Sequence, residues 1–207
     1  MTKDRTISSI RADLQLIADM IDPGSRVLDV GCEDGALLDY LVHNKQVVGR
    51  GMELSQKGVN ASVSHGLSVI QGDADENLID YPDQAFDYVV LSKTLQATRR
   101  PKEVLNQLVR IGRRAIVSFP NFGYWKVRWS LAYQGRMPMT KSLPVCWYET
   151  ENIHFCTIRD FIGLTRECGI TVDKAMSISA NRQAREITNL SRANLFGRDG
   201  IFLLRKK

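Results

Sequence analysis

The residues of this chain best suited to chemistry are three carboxylates that each close an apolar run, and a loop holding two glycines. Asp29 stands near the end of "RVLDV", Glu53 ends "VVGRGME" 24 residues later, and Asp73 follows "LSVIQG". If the three runs are neighbouring parallel strands, the acids gather at one edge, where open α/β sheets bind ligands. An acid at the second position can accept both hydroxyls of a ribose, and one after the third can accept from an adenine amino group. Between Asp29 and the next apolar stretch, Gly31 and Gly35 let the backbone turn tightly and come close to a ligand.

The same loop excludes several chemistries. A dinucleotide fingerprint would read G-x-G-x-x-G, with a pyrophosphate on a helix N-terminus. Here Glu33 stands at the middle glycine and Asp34 adds a second negative charge, so two carboxylates would face the pyrophosphate. A phosphate-free adenosine ligand bearing a sulfonium meets no such opposition, and S-adenosylmethionine fits the charge pattern better than NAD. The chain contains no G-x-x-x-x-G-K-[ST] loop and no G-x-S-x-G elbow to hold an acyl-transfer serine.

The elements that would position these acids alternate. An amphipathic helix over about residues 8 to 21 precedes the break "DPGS"; "GALLDYLVHN" reads as a helix, "QVVGRGMEL" as a strand, and "SQKGVNASVSH" as a helix opened by Ser55. "LSVIQGD" and "FDYVVLS" are strands, "RPKEVLNQLVRI" is a helix with Pro101 in its first turn, and "RAIVSF" is a strand. That alternation predicts a parallel sheet with right-handed crossovers. "TIRDFIGLTRECG" reads as a helix with Thr157 and Asp160 at capping-box spacing and Gly169 as its stop. "ITVDKAMSISA" and "GIFLLRK" fit an antiparallel closing pair, and "NRQAREITNLSRANLFGRD" reads as a polar connection with helical potential. The expectation is one domain over residues 1 to 207, with an irregular elaboration at about 120 to 152 over the carboxyl edge; that stretch holds all three tryptophans.

Composition bounds the rest. A 43% hydrophobic and 25% charged chain of 207 residues, with mean hydropathy −0.20, is ordinary for a globular protein. The start shows neither a signal-peptide core nor a run able to span a bilayer, so a cytoplasmic location and no membrane partner are expected. The net charge of +5 comes partly from "RIGRR" and the terminal "LLRKK"; with no nucleic-acid motif, a solvated basic surface is the reading, without a nucleic-acid partner. Cys32, Cys146, Cys156 and Cys168 form no C-x-x-C pair, which signals neither a zinc site nor a redox pair. His154 and Cys156, two residues apart in an extended segment, read as packing more readily than as a catalytic pair. Tyr124, Trp125, Trp129, Trp147 and Tyr148 could form a substrate lid, a partner surface or a small core of their own.

Taken together, "VLDVGCEDG", "GRGMEL", "QGDADENL" and "FDYVVLS" resemble the cofactor half of class I S-adenosylmethionine-dependent methyltransferases. The longer segments "LSKTLQATRRPKEVL", "RIGRRAIVSFPNFGYWKVRW" and "GRMPMTKSLPVCWYETENIHFCTIRDF" closely resemble the methionine biosynthesis family MetW, over about residues 15 to 205. The resemblance implies a Rossmann-like class I methyltransferase fold: a mostly parallel seven-stranded sheet, helices on both faces and an antiparallel last strand. It implies S-adenosylmethionine or S-adenosylhomocysteine as cofactor, bound by Asp29, Gly31, Cys32, Gly35, Glu53, Leu54, Asp73, Ala74 and Ser92. It also implies action with the homoserine O-acyltransferase MetX, an α/β-hydrolase that carries the catalytic serine this chain lacks, with the segment 122 to 149 as a candidate partner surface. The family has a glycine where Glu33 stands, and a Cβ there hinders close approach if the backbone needs positive φ. The alternative is an active small-molecule methyltransferase, in which proximity supplies much of the acceleration. His154 and Tyr124 would be its candidate bases or donors, and no N-P-P-[YF] segment follows "FDYVVLS" to suggest amino-group methylation.

Overall fold

The structure, a computed structural model, describes residues 10–140 and 142–207. In chain order the elements are α1 (Ala12–Asp19), β1 (Arg26–Val30), α2 (Ala36–Lys45), β2 (Val48–Glu53), α3 (Gln56–Ser64), β3 (Val69–Gln71), β4 (Phe86–Ser92), α4 (Pro101–Ile111), β5 (Gly112–Pro120), α5 (Trp125–Trp129), α6 (Ile158–Glu167), β6 (Ile170–Ile178), β7 (Ala184–Glu186), α7 (Leu190–Phe196) and β8 (Asp199–Lys206). The first helix is shorter than the 8 to 21 expected, and residues 8 and 9 lie outside the described part.

The strands form one sheet in the order β3-β2-β1-β4-β5-β8-β6-β7. β3, β2, β1, β4 and β5 are mutually parallel, and β8 pairs antiparallel with both β5 and β6. This is the expected Rossmann-like methyltransferase architecture with one correction, since the sheet has eight strands rather than seven. The extra strand is β7, whose three residues pair antiparallel with Met176–Ile178. It lies in the stretch expected as a polar connection. The chain folds back there through a turn in which Ser179 N–H donates to Gln183 O at 2.9 Å and Arg182 adopts φ +60°. "ARE" is too short to show the alternation that marks a strand.

Strand alternation builds two cores on opposite faces of the sheet. Leu28, Val30, Val89, Leu91, Ala115 and Val117 point to one face, where Leu105 and Leu108 of α4 and Phe161 of α6 cover them. Val27, Val90 and Ile116 point to the other, under Leu14 and Ile17 of α1 and Leu37 and Leu41 of α2. Helices therefore lie on both faces. Phe161 packs tilted against both Phe119 and Phe202, at centroid distances of 4.8 and 4.6 Å, while those two rings stack on each other at 5.6 Å. Thr157 and Asp160 form the anticipated capping box, and Ser55 caps α3 by accepting from Gly58 N–H. Among the described residues no helix is long and apolar enough to cross a membrane.

Candidate functional site

The strand order reverses between β1 and β4, and a cleft of about 290 Å³ opens beyond their carboxyl ends. Of the candidate residues, Asp29, Gly31, Cys32 and Ser92 line it. Glu33 and Asp34 line it too, and α1 and its approach supply Ile10, Arg11 and Leu14. That helix contribution was not legible in the sequence, since nothing in an amphipathic pattern says which end of the sheet a helix will overhang.

The loop after β1 is held by its main chain. Gly31 and Cys32 N–H groups converge on Met52 O at 2.8 and 3.3 Å, and Gly35 N–H donates to Cys32 O at 2.8 Å. Gly31 and Gly35 have φ of +70° and +80°, and Glu33 between them has φ +51°. The loop thus keeps the left-handed conformation that suits glycine while carrying a glutamate. Glu33 N–H donates to Glu53 Oε2 at 2.9 Å, and Ser55 N–H donates to Glu53 Oε1 at 2.9 Å. Glu53 therefore ties the loop to the start of α3, and each of its oxygens retains a lone pair. Gly58 permits this approach, because a Cβ there would lie 2.7 Å from Glu33 O and from Glu53 Cγ.

Asp29 is 2% exposed. No described residue hydrogen-bonds its carboxylate, which sits among Cys32, Glu33 and Glu53. Burial first, then the charges of Glu33 and Glu53, push its carboxyl up to about 7. The Cys32 thiol is pushed up to about 12 by burial and by Asp29 and Glu53, so it stays a neutral thiol and a poor nucleophile.

The remaining expected residues sit outside the lining. Gly35 is the N-cap of α2, where Ala36 N–H finds Asp34 Oδ1 at 3.2 Å. Leu54 is exposed beside Glu53, with its carbonyl accepting from Gln71 Nε2. Asp73 is engaged elsewhere: its Oδ2 accepts from Arg99 Nη2 at 2.8 Å and its Oδ1 from Asp75 N–H at 2.8 Å. Ala74 packs against the larger core. Asp75 completes a clamp on the turn before α4, accepting from the N–H groups of Arg99 and Arg100 at 2.8 Å each.

His154 and Tyr124 do not line the cleft. Tyr124 is buried with Val127 and Leu143 in a small separate core. His154 and Cys156 border a second, apolar pocket of about 150 Å³ with Leu95, Pro101 and Phe161. Burial pushes the Cys156 thiol up to about 11, and its sulfur accepts from Gln96 Nε2 at 3.3 Å. Trp125, Trp129, Tyr133, Trp147 and Tyr148 are exposed, and Trp129 stacks on Tyr133 at 4.0 Å. The elaboration thus has a small core of its own beneath an aromatic outer surface.

Comparison with known proteins places this geometry. The family model described as "Methionine biosynthesis protein MetW" matches residues 11–204. A curated relative from Rhodopirellula baltica, named "Bifunctional methionine biosynthesis protein MetXA/MetW", is 34% identical over 175 residues, which is 80% of this chain and 28% of the relative. The chain therefore spans less than a third of that protein's length. Among solved structures, an S-adenosylmethionine-dependent methyltransferase from Mesorhizobium loti superposes with a TM-score of 0.71 at 16% identity, covering 97% of this chain and all of the other. One from Thermotoga maritima gives 0.69 at 17% identity, covering 95% and 88%. Likeness at such identity establishes the fold.

Proposed function

The chain belongs to the MetW family of methionine biosynthesis, and from that premise we propose that it acts as the partner of a homoserine O-acyltransferase of the MetX kind, with S-adenosylmethionine or S-adenosylhomocysteine as the ligand of its cleft. The observation that carries the partnership is the Rhodopirellula baltica relative, whose name joins MetXA and MetW in one polypeptide. Fusion keeps two units at high effective concentration, an arrangement suited to parts that work in contact. The present chain has no G-x-S-x-G elbow, consistent with the acyl-transfer nucleophile residing on the partner.

The aromatic outer surface of the elaboration is the face proposed to meet that partner. Trp129, Tyr133, Trp147 and Tyr148 leave large apolar areas in solvent, and Lys126 Nζ sits 5.5 Å from the Trp125 ring centroid. Interfaces are enriched in tryptophan, tyrosine and arginine, and a few such residues carry most of the binding energy.

The cleft suits a cationic adenosine ligand. A buried carboxylate without a hydrogen-bond partner among the described residues, Asp29, faces it, and Glu53 beside it keeps lone pairs to accept ribose hydroxyls. When bound, S-adenosylmethionine would supply an electrophilic methyl group. The chain's own residues would hold the ligand's positive charge and its sugar.

The test is direct. The purified chain and a homoserine O-acyltransferase from the same organism are mixed at micromolar concentration, then followed by light scattering and by acylation rate. The expected result is a complex and a changed rate, both weakened about tenfold or more by Trp129→Ala with Trp147→Ala. No complex and no change in rate would refute the partnership.

A further inference from the structure

We infer that the cleft selects a sulfonium over the corresponding thioether, with Glu33 as the residue that sets the preference. The inference rests on the reading that the cleft takes an S-adenosylmethionine-type ligand. S-adenosylmethionine and S-adenosylhomocysteine differ by one methyl group and one unit of positive charge. Contacts to adenine, ribose and amino acid treat them alike, so discrimination comes from the sulfonium's methyl group or its charge, and the cleft's lining points to charge.

The described charges around the cleft are lopsided. Asp29, Glu33 and Asp34 line it, and Glu53 lies one hydrogen bond behind Glu33. Arg11 is the one cation among the described lining residues, and its Nε is 3.4 Å from Asp13, which also holds Lys93 at 2.7 Å. Cys32 and Ser92 complete the polar lining without charge. Asp29, 2% exposed, lines the cleft with no hydrogen bond from a described residue, so its carboxylate is open to a donor or cation bound there.

Glu33 supplies the second sign. A left-handed backbone strains any residue with a Cβ, and such strain concentrates where a side chain has a task. Glycine at this position would relieve the strain and lose only the carboxylate. A carboxylate on the cleft wall attracts a unit positive charge and not the neutral thioether, by an amount that solvent at this exposed residue moderates. A cation bound there also favours ionised Asp29, so its binding releases protons near neutral pH and strengthens as pH rises through about 7.

Calorimetry at neutral pH, in two buffers of different ionisation enthalpy, tests this with three probes. These are S-adenosylmethionine, S-adenosylhomocysteine and sinefungin, whose amine carries the positive charge without a sulfonium. The native protein is expected to bind both cationic probes about tenfold more tightly than the thioether, with proton release for the cations alone. Glu33→Gln, which keeps the Cβ and the backbone strain, should cut that ratio to about threefold or less. Equal affinities, or tighter binding of the thioether, would overturn the selectivity while leaving the cleft as the ligand site. Binding of none of the three probes would overturn the ligand reading itself, and the inference with it.

Discussion

Replacing Glu33 by glycine should stabilise the protein. The native backbone has φ +51° at this residue, and a left-handed conformation costs an L-residue roughly 1–2 kcal/mol. Glycine gives back about 0.5–1 kcal/mol through the greater freedom of its unfolded chain. The main-chain bonds survive the exchange, since Glu33 N–H still reaches Glu53 Oε2 and Glu33 O still accepts from Ser62 Oγ at 3.3 Å. The exposed side chain forms no hydrogen bond with a described residue, and its removal relieves repulsion toward Asp29 and Glu53. The net gain is about 0.5–1 kcal/mol, or about 1–4 °C in midpoint for a chain of this size. Urea unfolding followed by far-UV circular dichroism measures it; all three tryptophans lie in the elaboration, so their fluorescence reports on that region instead. Glu33→Ala is the control, removing the charge and keeping the Cβ, and should gain less than glycine. A glycine variant less stable than the native protein, or an alanine variant equal to it, would refute the strain argument.

The Asp29 carboxyl, raised from 3.8 to about 7 in the fold, contributes stability that is complete below its unfolded value and lost as pH rises through about 7. The urea midpoint should therefore fall across that window, and Asp29→Asn should flatten the fall; a native midpoint that rises steadily with pH there would contradict the burial argument. Asn121 is 2% exposed, donates to Asn194 O and Gly197 O at 2.9 and 2.7 Å, and accepts from Gly123 and Ile158 N–H at 2.9 and 3.1 Å. Asn121→Ala strands those partners and should cost about 2–4 kcal/mol in urea unfolding; a loss under about 0.5 kcal/mol would mean that the loops it joins hold without it.

The parallel core is readable because its central strands are short apolar runs bounded by turn signals and alternating with helical stretches. "RVLDV", "FDYVVLS" and "RAIVSF" are buried on both faces, and that two-sided burial is what a continuous apolar run records. The gathering of Asp29, Glu53 and the glycine loop followed from the same logic, because parallel strands put their carboxyl ends on one side. The position of Asp73 after the third strand is legible, but its ion pair with Arg99 is not; pairing across 26 residues leaves no local trace. Arg11 was missed for the same reason. Tyr124, Trp125, Trp129, Trp147 and Tyr148 are ambiguous in the sequence because composition records apolar area without its direction. Only packing separates Tyr124, which is buried, from Trp129 and Trp147, which are exposed.

The cleft and the aromatic elaboration are joined by a short segment after β4. Ser92 lines the cleft, and Thr94 packs so closely under Gly31 that a Cβ there would come within 2.5 Å of its hydroxyl. Two residues on, Gln96 O accepts from the N–H groups of Ile153 and His154 at 2.9 and 3.0 Å, and its side chain donates to Pro120 O at 3.1 Å. The elaboration thus hangs from the strand end that lines the cleft. A ligand shifts an equilibrium only through unequal affinity for its two states, and Thr94 to Gln96 form one contiguous connection between the cleft and the elaboration. Reciprocity then demands that a partner on that face change ligand affinity by the same factor that the ligand changes the partner's.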